Sequence, residues 1–317
     1  MMNDSFLPAF YEHHQRIKMG KPLPVSHEYL RMENIWMGFY GLGKFETYQF
    51  LYAHCISLAH LQEWMIGLKG ETQIQASAIA FSQWSLQQNM PTVTASSGHS
   101  LLNESQWQSW KEQGFIKISG LVEDHLCDAV VQLIATHLGA NLSAPATWYQ
   151  HHPDWHGLML QLYQDESIHA IRTSPVIRLL FEELYGTTSL IPNPEKVSFN
   201  PPETATWKFS HGRLHWDVDF AHPDPYYIQG LVYLNDVPEN RGPLTLVPGF
   251  HLQFDEWIKT YPDPHEAQQV MQQAFTGTPV PGKKGDAILW LQTLPHAASA
   301  NHTDQPRFVQ YISFSKC

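Results

Sequence analysis

Arg213-Leu-His-Trp-Asp-Val-Asp219 sets a His and an Asp two residues apart in a run whose apolar residues alternate. On an extended chain, residues i and i+2 share a face. His215 and Asp217 therefore aim an imidazole and a carboxylate at one point, while Leu214, Trp216 and Val218 face the other way. That arrangement predicts a metal on the polar face.

The bare pattern carries little information, because His-x-Asp occurs four times: His152/Asp154, His215/Asp217, His222/Asp224 and His302/Asp304. Context separates them. The first and third have Pro in the middle, which removes a ladder hydrogen bond and avoids central strands. The fourth runs into Gln305-Pro306, a turn signal. Only His215/Asp217 lies in an alternating apolar run and is expected to be a strand. Two His and one carboxylate on one face of Fe(II) leave three positions open, as a non-haem oxygenase needs. A second His and a group that holds a co-substrate are then expected elsewhere.

The chain has 317 residues, enough for one large domain or two small ones. The net charge of −11 is uneven: residues 1–98 carry 6 basic and 7 acidic side chains, residues 99–317 carry 13 and 23. The acidity thus accompanies the candidate site, which argues against nucleic acid or an anionic membrane as partner. Nothing in the composition addresses oligomeric state. Cys55, Cys127 and Cys317 show no paired spacing, so free thiols in a reducing compartment are expected. Met1-Met-Asn-Asp-Ser-Phe6 lacks the basic and apolar regions of a signal peptide. The most apolar window, residues 50–68, contains His54, His60, Gln62 and Glu63 and is no membrane span. A cytoplasmic protein is expected.

Residues 1–98 predict a helical N-terminal region to which no motif assigns a role. Apolar residues recur at helical spacing over 46–68 (Phe50, Leu51, Leu58, Leu61, Met65) and again over 71–88. His13, His14, His54 and His60 are expected to be surface or packing residues. Residues 91–98 predict a linker, so a second domain spans 99–317. It opens with a helix from Asn103 to Gly114, a strand at 115–119 and a helix over 123–138. Residues 140–156 are aromatic, His-rich and irregular, either a lid or a surface excursion. A further helix covers 174–186. Short β-runs follow at 196–199, 213–219, 226–234, 243–247, 286–292 and 307–314, with a helix at 265–275 between two of them. Such strands with Gly/Pro turns predict a barrel or sandwich with helices packed outside.

Several stretches, in this order, resemble one family. They are His215-Trp-Asp217; Asn240-Arg-Gly-Pro-Leu-Thr-Leu-Val-Pro-Gly-Phe-His251; Gly285-Asp-Ala-Ile-Leu-Trp290 with His296 and Asn301 after it; and Pro306-Arg307. The helix–Gly–strand opening at 104–120 and Asn200-Pro-Pro202 belong with them. Together they look like the phytanoyl-CoA dioxygenase-like group of Fe(II)/2-oxoglutarate oxygenases, over roughly residues 100–317. The resemblance implies an α+β fold, a double-stranded β-helix (a jelly-roll, cupin-like barrel) with packed helices. It implies Fe(II) held by His215, Asp217 and His296, with 2-oxoglutarate as co-substrate and O2 as oxidant.

It further implies that Arg307, 11 residues after His296, holds the distal carboxylate of 2-oxoglutarate. A planar guanidinium pairs bidentately with a carboxylate, which Lys does poorly. Tyr233 falls where the family places an aromatic beside the co-substrate, and Lys196 approaches it by alignment through Pro201-Pro202. The family hydroxyl two residues after the distal His is replaced by Ala298, with Ser299 next, so Ser299 becomes the candidate for that contact. Gly242, Pro243, Pro248 and Gly249 read as turn-makers. The implied activity is a dioxygenase that hydroxylates a small molecule while 2-oxoglutarate becomes succinate. Two other readings stay open: a metal-binding scaffold or sensor without turnover, and Zn-dependent hydrolysis at the same triad. A carboxylate clamp at Arg307 is useless to either.

Overall fold

The computed structural model describes residues 4–87, 100–210, 212–220, 224 and 226–317. The expected linker at 91–98 and His222 lie outside the described residues. Two compact units form, one of Met1–Ser97, Glu182–Glu195 and Phe314–Cys317, the other of Gly98–Phe181 and Lys196–Ser313. No helix among the described residues is long and apolar enough to cross a membrane.

The first unit holds helices α1 (Leu7–Lys18), α2 (His27–Tyr40), α3 (Lys44–Ala53), α4 (Leu58–Lys69) and α5 (Glu71–Gln87). The single helical run expected over 46–68 is two helices. Ser57 starts the second one, its hydroxyl accepting from the His60 N–H at 3.1 Å, as an N-cap does. The apolar pattern continues across the break, with Leu51, Leu61 and Met65 all fully buried, so periodicity alone could not reveal it. Asp4 anchors the core: its Oδ2 accepts from Trp36 Nε1 and from the Tyr40 hydroxyl, each at 2.6 Å. Strand β4 (Leu190–Pro192) belongs to this unit, and Ile191 packs on Gly38 of α2 so closely that a Cβ there would sit 3.1 Å from it.

In the second unit α6 (Glu104–Gln113) begins at a capping box between Asn103 and Gln106 and stops at Gly114, at φ 73°. Then come β1 (Phe115–Ile118), α7 (Asp124–Leu138), β2 (Trp155–His156), β3 (Met159–Leu160), α8 (Glu166–Arg172) and α9 (Pro175–Tyr185). The β-rich half supplies β5 (Val197–Asn200), β6 (Ile228–Tyr233), β7 (Leu244–Leu246), α10 (Phe254–Thr260), α11 (Pro264–Ala274), β8 (Thr278–Val280), β9 (Ala287–Leu291), β10 (His296–Ala298) and β11 (Arg307–Lys316). The larger sheet runs β1-β9-β6-β11-β5-β3-β2, with β4 paired to the far end of β11; the smaller is β10-β7-β8. All pairings are antiparallel. Two antiparallel sheets with helices outside make the expected α+β jelly roll, without a closed ring of strands. Leu231, Tyr233, Ile288, Trp290 and Val309 share one core with Leu244, Leu246 and Ala297.

One expected strand is absent. Residues 213–219 form no ladder; the run makes a single antiparallel bridge, His215 to His296. Alternation survives, because Leu214 and Trp216 are buried while His215 and Asp217 are more open. Trp216 is tied down by its indole N–H, which donates to the Thr293 carbonyl at 3.0 Å. Periodicity reports which side chains need burial, and burial is satisfied here without a hydrogen-bonded neighbour. The loop over 140–156 is largely open, held by buried Trp148 and by the Tyr149 hydroxyl, which donates to the Pro202 carbonyl at 3.0 Å.

The Gly285-Asp286 turn that launches β9 has a structural role. Asp286 is 4% exposed and accepts from the Gly120 and Lys283 N–H groups, both at 2.9 Å. Gly285 sits at φ +81°, where a Cβ would come within 2.3 Å of the Val122 carbonyl oxygen. Gly285→Ala combines left-handed strain with a backbone clash, so a loss of about 1–3 kcal/mol or more is expected. A urea-unfolding midpoint indistinguishable from the parent chain would contradict this account of the turn.

Candidate active site

His215 and His296 face each other across a complete backbone pair, His215 N–H to the His296 carbonyl at 3.0 Å and the reverse at 2.9 Å. Their rings lie 4.5 Å apart. Asp217, two residues on from His215, reaches both: His296 Nε2 to Asp217 Oδ2 is 3.3 Å and His215 Nε2 to Asp217 Oδ1 is 3.8 Å. One ligating atom from each of the three lies within 4.8 Å of the others. The structure thus brings together all three residues expected as metal ligands.

Each imidazole is oriented by its own backbone. His215 Nδ1 meets the Arg213 carbonyl at 3.0 Å, and His296 Nδ1 meets the Leu294 carbonyl at 3.2 Å. A carbonyl only accepts, so both Nδ1 atoms donate, and Nε2, the atom turned to Asp217, is the one left to ligate a metal once it gives up its proton. That is the tautomer a metal requires. Burial lowers the His215 pKa, and the charge on His296 lowers it further. Burial works to raise the Asp217 carboxyl, but hydrogen bonds from His296 and Gln229 and the nearby imidazole charges outweigh it, holding the group below the usual carboxylate range. Neutral imidazoles and an ionised carboxylate are the protonation states that divalent cations bind. The donor set therefore fits a metal of the imidazole–carboxylate kind. The side-chain exposures of 8% for His296, 40% for His215 and 54% for Asp217 leave the cluster open on the Asp217 side.

Arg307 is 1% exposed at the start of β11, opposite Asn200 in register. Its guanidinium donates to the Gly242 carbonyl and, at 3.2 Å, to Ser198 Oγ, while Nε has no partner. It makes no ion pair with a carboxylate among the described residues. Gly242 is required as glycine: it sits at φ +68°, and a Cβ there would lie 2.5 Å from Asn200 Nδ2 and 2.6 Å from the Ser299 carbonyl. Tyr233 is buried within the influence of the Arg307 charge, and burial raises its phenol pKa. Its hydroxyl donates to the Val280 carbonyl at 2.8 Å and accepts from the Leu244 N–H at 2.9 Å. The Ser299 hydroxyl pairs with Thr245 Oγ1 at 2.7 Å. Lys196 stands just before β5, partly buried.

Two residues of this neighbourhood were not foreseen. Gln229 donates to Asp217 Oδ2 at 2.8 Å and accepts from Trp290 Nε1 at 3.0 Å. The indole N–H only donates, so it fixes which end of the amide faces the carboxylate. Ser198 supplies the hydroxyl beside Arg307. Both are lone polar residues in otherwise apolar β-runs, Ile228-Gln-Gly-Leu and Val197-Ser-Phe, which is the signal that points inward. Gln229→Leu removes a partner from Asp217 and from Trp290, and is expected to weaken divalent-cation binding at this cluster by about 10–100-fold, as loss of a ligand's support does. Metal titration of the folded variant checks this; an unchanged affinity would reduce Gln229 to a packing residue.

Comparisons with known proteins bear on the family and the fold. The family model described as phytanoyl-CoA dioxygenase (PhyH) matches residues 110–309. A protein of Dictyostelium discoideum assigned to the phytanoyl-CoA dioxygenases is 24% identical over 180 residues, 44% of this chain and 51% of its own length. Ectoine dioxygenase of Bordetella bronchiseptica is 29% identical over 108 residues, 29% of this chain and 35% of its own length. The chain therefore spans about half, or less, of these relatives. Among solved structures, the epimerase SnoN in complex with Fe3+, alpha ketoglutarate and nogalamycin RO superposes with a TM-score of 0.52 at 21% identity, over 67% of this chain and 83% of that one. The carbocyclase SnoK from nogalamycin biosynthesis gives 0.52 at 16% identity, over 68% and 84%. These likenesses share the jelly-roll fold described above. Since the family model spans most of the chain, including all three residues of the His–Asp–His cluster and Arg307, the chain belongs to the phytanoyl-CoA dioxygenase family.

Proposed function

We propose that the protein is an Fe(II)- and 2-oxoglutarate-dependent dioxygenase that hydroxylates a small molecule. The observation that carries this reading is the buried Arg307 guanidinium, which has an unpartnered Nε and no carboxylate of the described chain to balance it. A buried cation without a counter-charge is costly, and a planar fork suits a carboxylate brought from outside. In this reading His215, Asp217 and His296 hold Fe(II) through Nε2, a carboxylate oxygen and Nε2. Arg307, with Ser198 beside it, holds the distal carboxylate of 2-oxoglutarate. The Tyr233 ring walls that pocket, and Ser299, whose backbone carbonyl crowds Gly242, lines it. Bound Fe(II) and 2-oxoglutarate supply the oxidising power, using O2 and leaving succinate and CO2. The protein's own residues supply geometry: carbonyls fix both imidazoles, Gln229 steadies the carboxylate, and the open side at Asp217 admits the substrate. A small molecule as substrate is supported by the nogalamycin-bound SnoN structure, which has the same fold.

Anaerobic titration of the Fe(II)-loaded chain with 2-oxoglutarate, following the metal-to-ligand charge-transfer band, tests the reading. Breaking a buried guanidinium–carboxylate pair from one side costs about 3–5 kcal/mol. Arg307→Ala is then expected to weaken 2-oxoglutarate about 100- to 1,000-fold while iron still binds. Arg307→Lys recovers part of the loss, because the charge remains but the fork does not. If the parent chain shows no such band at millimolar co-substrate, the metal-binding scaffold replaces the oxygenase.

A further inference from the structure

A second cluster of two His and one Asp lies away from the first. His137 is in the last turn of α7, and His152 and Asp154 belong to the loop that leads into β2. One ligating atom of each lies within 4.8 Å of the others. We propose that His137, His152 and Asp154 form a second divalent-cation site, of the Zn2+ type, that pins the end of α7 to the start of β2.

The sequence argued against this pair because Pro153 separates its members. Pro excludes a strand ladder but not a turn, and a turn is what forms. The Trp155 N–H donates to the His152 carbonyl at 3.1 Å, and the Asp154 N–H donates to His152 Nδ1 at 3.2 Å. A backbone N–H only donates, so Nδ1 is the unprotonated nitrogen of His152, and a metal would take its lone pair in place of that hydrogen bond. His137 Nε2 lies 2.9 Å from Asp154 Oδ2, and His152 Nδ1 lies 3.8 Å from the same oxygen. Donors around a tetrahedral Zn2+ with bonds of about 2.0–2.1 Å stand roughly 3.3 Å apart. The two observed separations bracket that value, and one donor atom from each of the three residues lies within 4.8 Å of the others.

Two nitrogens and one oxygen suit a borderline cation such as Zn2+, whereas Mg2+ and Ca2+ take oxygen sets. The α7 terminus adds the negative end of a helix dipole. Side-chain exposures of 27%, 24% and 36% leave a fourth position to water and a path for entry. The segment so fixed adjoins the first site. Trp155 packs on Phe199 at 5.3 Å between ring centroids, β2 pairs with β3, and Met159 of β3 lies opposite Ser198, the hydroxyl beside Arg307.

The proposal does not depend on the dioxygenase reading, and its test separates the two. In the full chain carrying His215→Ala and Asp217→Ala, Zn2+ titration should still reveal one ion per chain. Adding His137→Gln or Asp154→Asn should weaken that binding by a hundredfold or more, since even loss of a ligand's supporting partner costs about 10–100-fold. Gln at position 137 can keep the hydrogen bond to Asp154. An unchanged metal-free thermal midpoint for His137→Gln would show that ligation, not folding, was lost. The chain has 19 His residues, so weak, multi-site binding that these variants leave unaltered overturns the proposal. So does the absence of stoichiometric Zn2+ in the first double variant. Either result leaves a surface His–Asp pair.

Discussion

The His–Asp–His cluster depends on one backbone pairing, the mutual hydrogen bonds of His215 and His296. Everything near the cluster is arranged about it. An antiparallel pair sets two side chains opposite one another at short range, so two imidazoles from chain positions 81 residues apart (296 − 215) arrive together. Asp217 then falls on the same side because it is two residues further on. The bridge is isolated on the His215 side, whereas on the other side His296 opens β10, whose neighbour β7 fixes it at Leu246. The rigid partner is thus the sheet residue, and the 213–219 run is registered against it by one bridge and the buried Trp216.

The surroundings of Arg307 follow a second constraint, that a buried guanidinium must spend its donors. Strand β5 gives a hydroxyl at Ser198, the turn before β7 gives a carbonyl at Gly242, and Nε is left without a partner. The same crowding explains the glycine, since any side chain at 242 would collide with Asn200 and the Ser299 backbone. The hydroxyl that reaches the guanidinium is that of Ser198, while the Ser299 hydroxyl pairs with Thr245.

The cysteines take no part in either site. Cys55 and Cys127 are buried free thiols, and burial pushes Cys127 up to about 11. A thiol so raised stays protonated near neutrality and is a poor nucleophile or ligand. The histidines divide similarly. His14 is enclosed in the helical unit between Glu33 and Tyr52, while His54 is exposed.

By itself the sequence determined the elements whose signals are local. The capping box at Asn103 and Gln106, the stop at Gly114, the α7 and α9 helices and the apolar β-runs are each written within a few residues, because capping and burial period act over one or two turns. It also marked His215 and Asp217, through an alternation that survives even though the expected strand does not form. Tertiary structure decided what depends on contacts across the chain. Which hydroxyl reaches Arg307, which amide steadies Asp217, and where the 46–68 helix breaks follow from packing and capping that no apolar period records. Pro153 is the sharpest instance. A proline forbids a ladder, and that much is local, but whether the turn it leaves places His152 and Asp154 beside His137 depends on where α7 ends in space.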